Sequence, residues 1–359
     1  MVKFIIVGAG WYGCFLGLIF KTLNIEFVIL EKQSDIFNGS SSKNQNRLHQ
    51  GFHYPRSQNT RNECIKGYEL FVKLFNFMTC PVKNNYYLLE KNSNVKFNDY
   101  VKIYENDNLE FTYDNNLDLD MNNIDGIIKC NEKLINHNLA YTFFKKILCD
   151  HTILNVDDFI ISDKLLYNNI KYDYLIDCTY GQMFKNESCE YELCVSLIYN
   201  SNVDYAITLM DGPFFSIYPY LTNDNINKYT LTDVEYTPLF KSNNIDDVYK
   251  FEKNINNEFI CLVKDKMENK VKKYLPNFNE NFTYENYNIS YKCKFINNDD
   301  DRSVRFYRKN NILSFVGGKI TGIFGMATIL FDEFKDIEEF NKYTLGEVYD
   351  MMIKRFIHI

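Results

Sequence analysis

This chain lacks several features that would place it in a specialised class. Ten cysteines stand at positions 14, 64, 80, 130, 149, 178, 189, 194, 261 and 293, yet no two form a Cys-x-x-Cys pair. That spacing excludes a regular disulfide framework and argues against a metal site, so the thiols read as reduced and mostly buried. No block of five or six like charges occurs, and the formal net charge is -7. A general nucleic-acid surface needs a clustered basic face, so that partner is not expected. The apolar stretch from Phe4 to Phe20 is broken by Gly8, Gly10, Gly13 and Gly17 and offers no clean membrane span or cleavable leader. The expected compartment is therefore the cytoplasm. Only six prolines and one tryptophan are present, against many Asn, Lys, Ile and Tyr. Such a balance reads as codon bias toward A and T, and the Asn runs carry no functional weight. No internal repeat is visible. What remains is a chain of 359 residues, 46% hydrophobic and 24% charged, long enough for one large domain or two smaller ones.

The first 31 residues carry the strongest local signal. Val2–Val7 is an apolar run with β-branched residues, Gly8-Ala9-Gly10-Trp11-Tyr12-Gly13 punctuates it, Cys14–Phe20 is apolar, and Ile25–Leu30 is a second buried run ending in Glu31. Strand, tight turn, helix and strand follow in order, which closes a βαβ unit. A GxGxxG spacing alone is weak evidence. Between a strand and a helix, with an acidic residue closing the next strand, it predicts a dinucleotide site. Gly8 suits the tight turn, Gly10 lets backbone approach a pyrophosphate, and Gly13 lets helix pack on strand. Free N–H groups at the helix start favour phosphate, and Glu31 suits the adenosine ribose hydroxyls.

Beyond this unit the text alternates. Residues 34 to 61 form a long polar loop, the kind that usually carries function, and Asn62–Met78 shows helical spacing. Between Cys80 and Lys129 short alternating runs, including Tyr86–Leu89 and Val101–Tyr104, predict a β-rich insertion. A helix is predicted over Leu134–Leu148, and strands over Thr152–Val156, Phe159–Ile161 and Tyr174–Cys178. Residues 190 to 300 return to strands (Cys194–Tyr199, Phe214–Tyr220, Tyr229–Val234) with one helix over Ile245–Tyr274. Ile312–Val316 then runs into Gly317-Gly318-Lys319-Ile320-Thr321-Gly322 and a helix. A nicotinamide enzyme would continue its nucleotide domain with alternating strands and helices; this chain inserts β-rich text and returns to Gly-Gly only at 317.

Three stretches make that dinucleotide FAD by resemblance. Arg47-Leu48-His49-Gln50-Gly51-Phe52-His53-Tyr54 resembles the segment that runs beside the isoalloxazine in the D-amino-acid-oxidase superfamily of FAD-dependent oxidoreductases. Gly126–Asn136 through Leu148 and Val156 resembles the link, helix and strand that lead to Tyr174–Gly181. Phe315-Val316-Gly317-Gly318-Lys319-Ile320-Thr321 is similar to the C-terminal Gly-Gly-Lys-x-Thr of the glycerol-3-phosphate dehydrogenases of that superfamily. The resemblance does not extend to residues 190 to 300. It implies an α/β fold, with a discontinuous Rossmann-like FAD-binding domain (1–78, 127–189 and 310–359) and a β-rich α+β substrate domain (79–126 and 190–309). It also implies an FAD-contacting set: Gly8, Gly10, Trp11, Tyr12, Gly13, Glu31, Lys32, Ser41, Arg47, His49, Gln50, Val156, Cys178, Thr179, Gly181, Gly317, Gly318, Lys319, Ile320 and Thr321. Trp11 and Tyr12 are expected to pack outward from the turn, and Lys319 to face the flavin N1–C2=O or solvent.

The catalytic candidates are His49, His53, Tyr54, Arg56, Arg305 and Tyr218. His49 and His53 are two of only five histidines, fall in the loop expected near the flavin, and suit polar contact or base chemistry. Tyr54-Pro55-Arg56 brings a phenol and a guanidinium fit for a carboxylate or phosphate. Arg302 and Arg305 occupy the region where the superfamily often places a substrate-carboxylate arginine, with Arg305 favoured; Asp299–Asp301 offer an ion-pair alternative. Tyr218, in an aromatic strand, would line a substrate face or sit in the core. The expected activity is oxidation of a C–H beside N or O of a small amine, amino acid or hydroxy acid. The alternative is a redox-neutral flavin enzyme acting on a sugar nucleotide, as in UDP-galactopyranose mutase. Oligomeric state stays open.

Overall fold

The computed structural model describes residues 2–114, 117, 119–156, 165–183, 189–212, 214–221, 228–296 and 302–357. The N-terminal unit forms as the spacing predicts: strand Lys3–Val7, helix Trp11–Leu23, strand Glu26–Leu30. The two strands pair in parallel, Phe4 opposite Phe27 and Val7 opposite Leu30. On its other side Lys3–Val7 pairs in parallel with Tyr174–Asp177, which pairs in turn with Ile312–Val316. Parallel neighbours need crossover segments, and the intervening chain supplies them. The six-stranded sheet therefore runs Arg305–Lys309, Ile312–Val316, Tyr174–Asp177, Lys3–Val7, Glu26–Leu30, Thr152–Ile153, antiparallel only at its first pair. Phe15, Leu18 and Phe20 of the first helix are fully buried, in a core shared with helices His137–Leu148, Gly322–Glu333 and Leu345–Met352.

A second sheet of nine strands is almost wholly antiparallel. Its order is Pro238–Ser242, Cys189–Ser201, Lys228–Asp233, Phe215–Pro219, Ala206–Met210, Asn85–Glu90, Ile124–Cys130, Phe111–Tyr113, with Phe282–Phe295 paired along all of Cys189–Ser201. Both faces of its middle are covered, as period-2 side chains require. Tyr86 and Leu88 point into a core with helix Asn257–Val271, while Tyr87 and Leu89 point into another with helix Phe97–Asn106. A small sheet of Arg47–Leu48, Lys133–Ile135 and Thr79–Pro81 ties the polar loop to both.

Several expectations need correction. Val101–Tyr104 is helical, within Phe97–Asn106, because Tyr100, Val101 and Tyr104 form one buried helical face rather than an alternating one. The segment 245–274 is two helices, Ile245–Glu252 and Asn257–Val271, split where the Asn256 side chain caps the second by accepting from the Phe259 N–H at 2.9 Å. The helix predicted from Leu134 starts at His137, capped by Asn136, since Leu134 and Ile135 belong to a strand. The strand predicted over Thr152–Val156 stops at Ile153. Phe159–Ile161 and Asp299–Asp301 lie outside the described residues. Strand Ile124–Cys130 is bonded into the nine-stranded sheet and Arg305–Lys309 into the six-stranded one, so the chain crosses between sheets after residue 126 and before residue 310. Among the described residues no helix is long and apolar enough to cross a membrane, and no group of three His, Cys, Asp or Glu could hold a metal ion.

Candidate active site

The tight turn after the first strand is built on glycine for steric reasons. Gly8 has φ +99°, and a Cβ there would lie 2.8 Å from the Cys178 carbonyl oxygen. At Gly13 a Cβ would come within 1.9 Å of the Gly8 carbonyl oxygen, so only glycine lets the helix begin this close to the turn. Glu31 closes the turn from the neighbouring strand, accepting the Ala9 N–H at 2.6 Å and the Gln33 N–H at 2.9 Å. A carboxylate has about four lone-pair sites, so two further acceptor positions remain for hydroxyl donors. The helix has no side-chain cap of its own. Ser41, from the polar loop, accepts the Trp11 N–H at 3.1 Å and lays that loop across the helix start.

From this turn a cleft of about 1020 Å³ runs to the second sheet, at the top of the range of about 300–1,000 Å³ for small-molecule sites. Its walls carry Gly8, Gly10, Glu31 and Lys32 at one end, Ser41, Arg47, His49 and Tyr54 along the loop, and Gly317, Gly318, Lys319 and Ile320 at the other end. The two glycine turns are joined by Tyr12, whose hydroxyl donates to the Lys319 carbonyl at 3.2 Å. That hydroxyl would stand 2.2 Å from a Cβ at Gly317, which explains the glycine there by packing.

Lys319 is buried and its Nζ lies 3.3 Å from the centroid of the Tyr54 ring, with no hydrogen-bond partner. Burial lowers its pKa, but nearby Cys64, Tyr54 and Glu63 outweigh that and raise it, so the ammonium stays charged. The Cys64 thiol is pushed up to about 11 by its own burial and stays protonated. An enclosed cation facing a cleft without an acceptor costs free energy unless a ligand supplies one. With the glycine cradle at Gly8 and the open lone pairs of Glu31, this orphaned ammonium fits a long anionic cofactor with an electron-accepting carbonyl end.

Beneath the loop lies a buried polar network. The Arg47 guanidinium sits 3.7 Å over the Tyr218 ring and donates to Tyr87 Oη, Thr208 Oγ1 and Ser216 Oγ at 3.0, 3.0 and 2.9 Å. Glu132, its side chain fully buried, lies 3.8 Å from Arg47 and accepts the Gln50 N–H at 2.8 Å and the Tyr87 hydroxyl at 2.7 Å. Burial raises the Glu132 pKa above the ordinary carboxylate value, and the opposing pull of Arg47, Tyr87 and Gln50 offsets only part of it. Both histidines are held far below the ordinary imidazole value, first by burial. For His49 the cations Lys319 and Arg47 add to this, and for His53 chiefly Arg47. Each is therefore neutral near pH 7. Their rings meet edge to face at 4.7 Å.

The structure brings many sequence candidates to one place and leaves others outside. Gly8, Gly10, Trp11, Tyr12, Glu31, Lys32, Ser41, Arg47, His49, Tyr54, Val156, Cys178, Thr179 and Gly317–Ile320 line the cleft. Gly13 shapes it from behind. Trp11 and Tyr12 do not turn outward: Trp11 is buried against Phe37, Phe71 and Phe144, and Tyr12 reaches the second glycine turn. Tyr218 does not line this cleft, because it is fully buried as the floor beneath Arg47. His53 stands behind His49, bonded to Tyr87 at 2.7 Å. Arg56 is half exposed and pairs with Asp211 at 3.4 Å, away from the cleft wall. Arg305 lies on the outer strand of the first sheet; of that pair, Arg302 is the one on the wall. The Gln50 backbone N–H donates to Glu132, the Gly181 carbonyl accepts from Tyr191 at 2.6 Å, and Thr321 packs on Gly67. Glu132 and Tyr87 escaped the sequence reading, since a lone acid after a strand and a tyrosine in an aromatic run carry no local signal. Only the fold sets them under the loop.

No family model matches the chain. It is 28% identical over 327 residues to the FAD-dependent monooxygenase FPY4 of Fusarium mangiferae, covering 89% of this chain and 87% of that protein. It is 25% identical over 360 residues to the FAD-dependent monooxygenase kojA of Aspergillus flavus, covering 89% and 82%. Among solved structures, L-proline dehydrogenase from P. horikoshii matches 98% of this chain and 97% of its own with TM-score 0.68 at 13% identity. Glycine oxidase from Geobacillus kaustophilus covers 90% and 91% with TM-score 0.64 at 9% identity. FAD-bound L-alpha-glycerophosphate oxidase from Mycoplasma pneumoniae covers 96% of both with TM-score 0.60 at 12% identity. These structures share the fold of the chain. None of these proteins supports the sugar-nucleotide alternative.

Proposed function

We propose that this chain, an FAD-dependent oxidoreductase built on the fold of the D-amino-acid-oxidase superfamily, oxidises a C–H beside the nitrogen or oxygen of a small amine, amino acid or hydroxy acid. The observation that carries this reading is the single cleft that joins the Gly8–Glu31 turn to the Lys319 turn. Bound there, FAD supplies an acceptor for a hydride at N5, and the protein contributes orientation, water exclusion and charge. Glu31 would hold the adenosine ribose through its open lone pairs, and the first turn of helix Trp11–Leu23 with Ser41 would receive the pyrophosphate. Lys319 would supply positive charge at the opposite end of the cleft, where negative charge would develop on reduction. His49 and Tyr54 border the substrate space, and Arg47, spent on Tyr87, Thr208 and Ser216, braces the loop from beneath. A division into an FAD-binding part on the six-stranded sheet and a substrate part on the nine-stranded sheet stays part of the proposal, with its bounds moved to follow the strand pairing.

The test is anaerobic mixing of the purified yellow protein with amines, amino acids and hydroxy acids while the visible spectrum is followed. Bleaching by one of these classes is the expected result. Bleaching only by a reduced nicotinamide, followed by oxygen insertion into an added substrate, would replace this reading with monooxygenation, the activity in the names of the two fungal relatives.

A further inference from the structure

We propose that Glu132 is a positioning residue that fixes the tautomers of both loop histidines, so that Nε2 of His49 faces the cleft as a hydrogen-bond acceptor for a substrate hydroxyl. The inference rests on the site assignment above and narrows its substrate class to compounds with a hydroxyl on the carbon to be oxidised.

Donor counting leads to it. Glu132 meets only donors: the Gln50 N–H, the Tyr87 hydroxyl, the Asn85 amide at 3.5 Å and, at 3.8 Å, the Arg47 guanidinium. The Tyr87 hydroxyl donates its single proton to Glu132 Oε2, because every neighbour of that carboxyl is a donor and the Arg47 guanidinium beside it favours the form that only accepts. Tyr87 Oη must then accept from His53 Nδ1 at 2.7 Å, which puts the proton of His53 on Nδ1. The Arg47 Nη1 group gives an independent check. It has two N–H bonds and three neighbours within hydrogen-bond distance: Tyr87 Oη at 3.0 Å, Thr208 Oγ1 at 3.0 Å and His53 Nδ1 at 3.3 Å, with Glu132 Oε2 beyond them at 3.8 Å. With His53 Nδ1 protonated, the two N–H bonds match the two oxygens, the shorter contacts.

His49 meets the same carboxylate directly. Its Nδ1 is enclosed, makes no hydrogen bond, and has Glu132 Oε1 as its facing charge at 3.9 Å, while 22% of the side chain stays exposed. A negative charge on the Nδ1 side favours N–H there and leaves the lone pair on Nε2, because the group facing one ring nitrogen decides the state of the other. Burial first, and then the cations Lys319 and Arg47, keep the ring neutral. A neutral imidazole with an open Nε2 accepts a hydroxyl hydrogen, and the cations Lys319 and Arg47 on the same wall disfavour a protonated amine.

Long-range proton–nitrogen spectra of the flavin-bound protein, labelled with ¹⁵N-histidine and free of substrate, test this, with His49→Gln and His53→Gln used for assignment. The wild type is expected to show Nδ1–H and bare Nε2 for both residues. Tyr87→Phe should move His53 at least tenfold toward the Nε2–H form and leave His49 unchanged; Glu132→Gln should move both. Should Glu132→Gln fail to fold, Tyr87→Phe still decides the relay. Nε2–H forms in the wild type, or a His53 indifferent to Tyr87→Phe, would overturn the proposal. Because no substrate is present, this result is independent of the bleaching test.

Discussion

At the residue scale, the site depends on a few side chains whose energies are set by burial. Gly13 has no tolerance for a methyl group, given the 1.9 Å approach to the Gly8 carbonyl. Gly13→Ala should yield protein without flavin colour, read as the ratio of visible to ultraviolet absorbance. Full flavin occupancy would show that the turn can open without loss of binding. Lys319→Met removes the enclosed ammonium over the Tyr54 ring. It should slow anaerobic flavin reduction by about 10²-fold, in the range of losing one preorganised donor to developing charge, and lower the flavin reduction potential. An unchanged potential would place the ammonium away from the flavin. Arg47→Met leaves Glu132 buried without its nearest cation. Breaking a buried pair in this way costs about 3–5 kcal/mol, which urea titration would register as a lower midpoint.

At the element scale, the Lys319 end of the cleft is made where two glycine turns far apart in the chain are pressed together. Helix Trp11–Leu23 sends Tyr12 across to the turn before helix Gly322–Glu333, and Gly317 and Gly322 both accommodate its hydroxyl. Gly317→Ala should destabilise the protein, and Tyr12→Phe should recover part of that loss because the clashing atom is the hydroxyl. Thermal unfolding of the four proteins forms a double-mutant cycle. Contacting residues typically couple by about 0.5–3 kcal/mol, and strict additivity would mean the turns are not in contact in solution. The same scale shows why element type was readable in some places and not in others. Lys3–Val7 and Ile312–Val316 end in glycine turns that announce them. Val101–Tyr104 reads equally well as strand or helix over four residues, and only the shared burial of Tyr100, Val101 and Tyr104 against Phe52 and Tyr87 selects the helix.

At the scale of the whole molecule, the loop carrying His49 and His53 is held between two sheets, and its protonation is tied to folding. Both histidines have folded pKa values well below the unfolded value, about 6.5. Between the folded and unfolded values the unfolded chain binds more protons, so stability rises with pH across that window and is lost as pH falls below about 6.5. Glu132 and Asp177 are shifted upward by burial and act in the opposite sense, above the ordinary carboxylate value. The melting temperature should fall on going from pH 7.5 to 5.5, less steeply in His53→Gln; a flat profile in the wild type would contradict the burial of the two rings. The sequence by itself determined the parts whose physics is local. Gly8, Gly10, Gly13 and Glu31 are spaced by a turn, a helix and a strand, so their chemistry follows from neighbours in the chain, and the Gly317–Lys319 turn is legible in the same way. Only the tertiary structure decided the rest. Tyr218 became the floor under Arg47 rather than a substrate contact, Arg302 rather than Arg305 reached the cleft, and Glu132 and Tyr87 came to govern the histidine loop from positions 132 and 87. Those roles depend on which strands pair across the nine-stranded sheet and on which polar atoms lose water when they do, and neither is encoded in the spacing of residues along the chain.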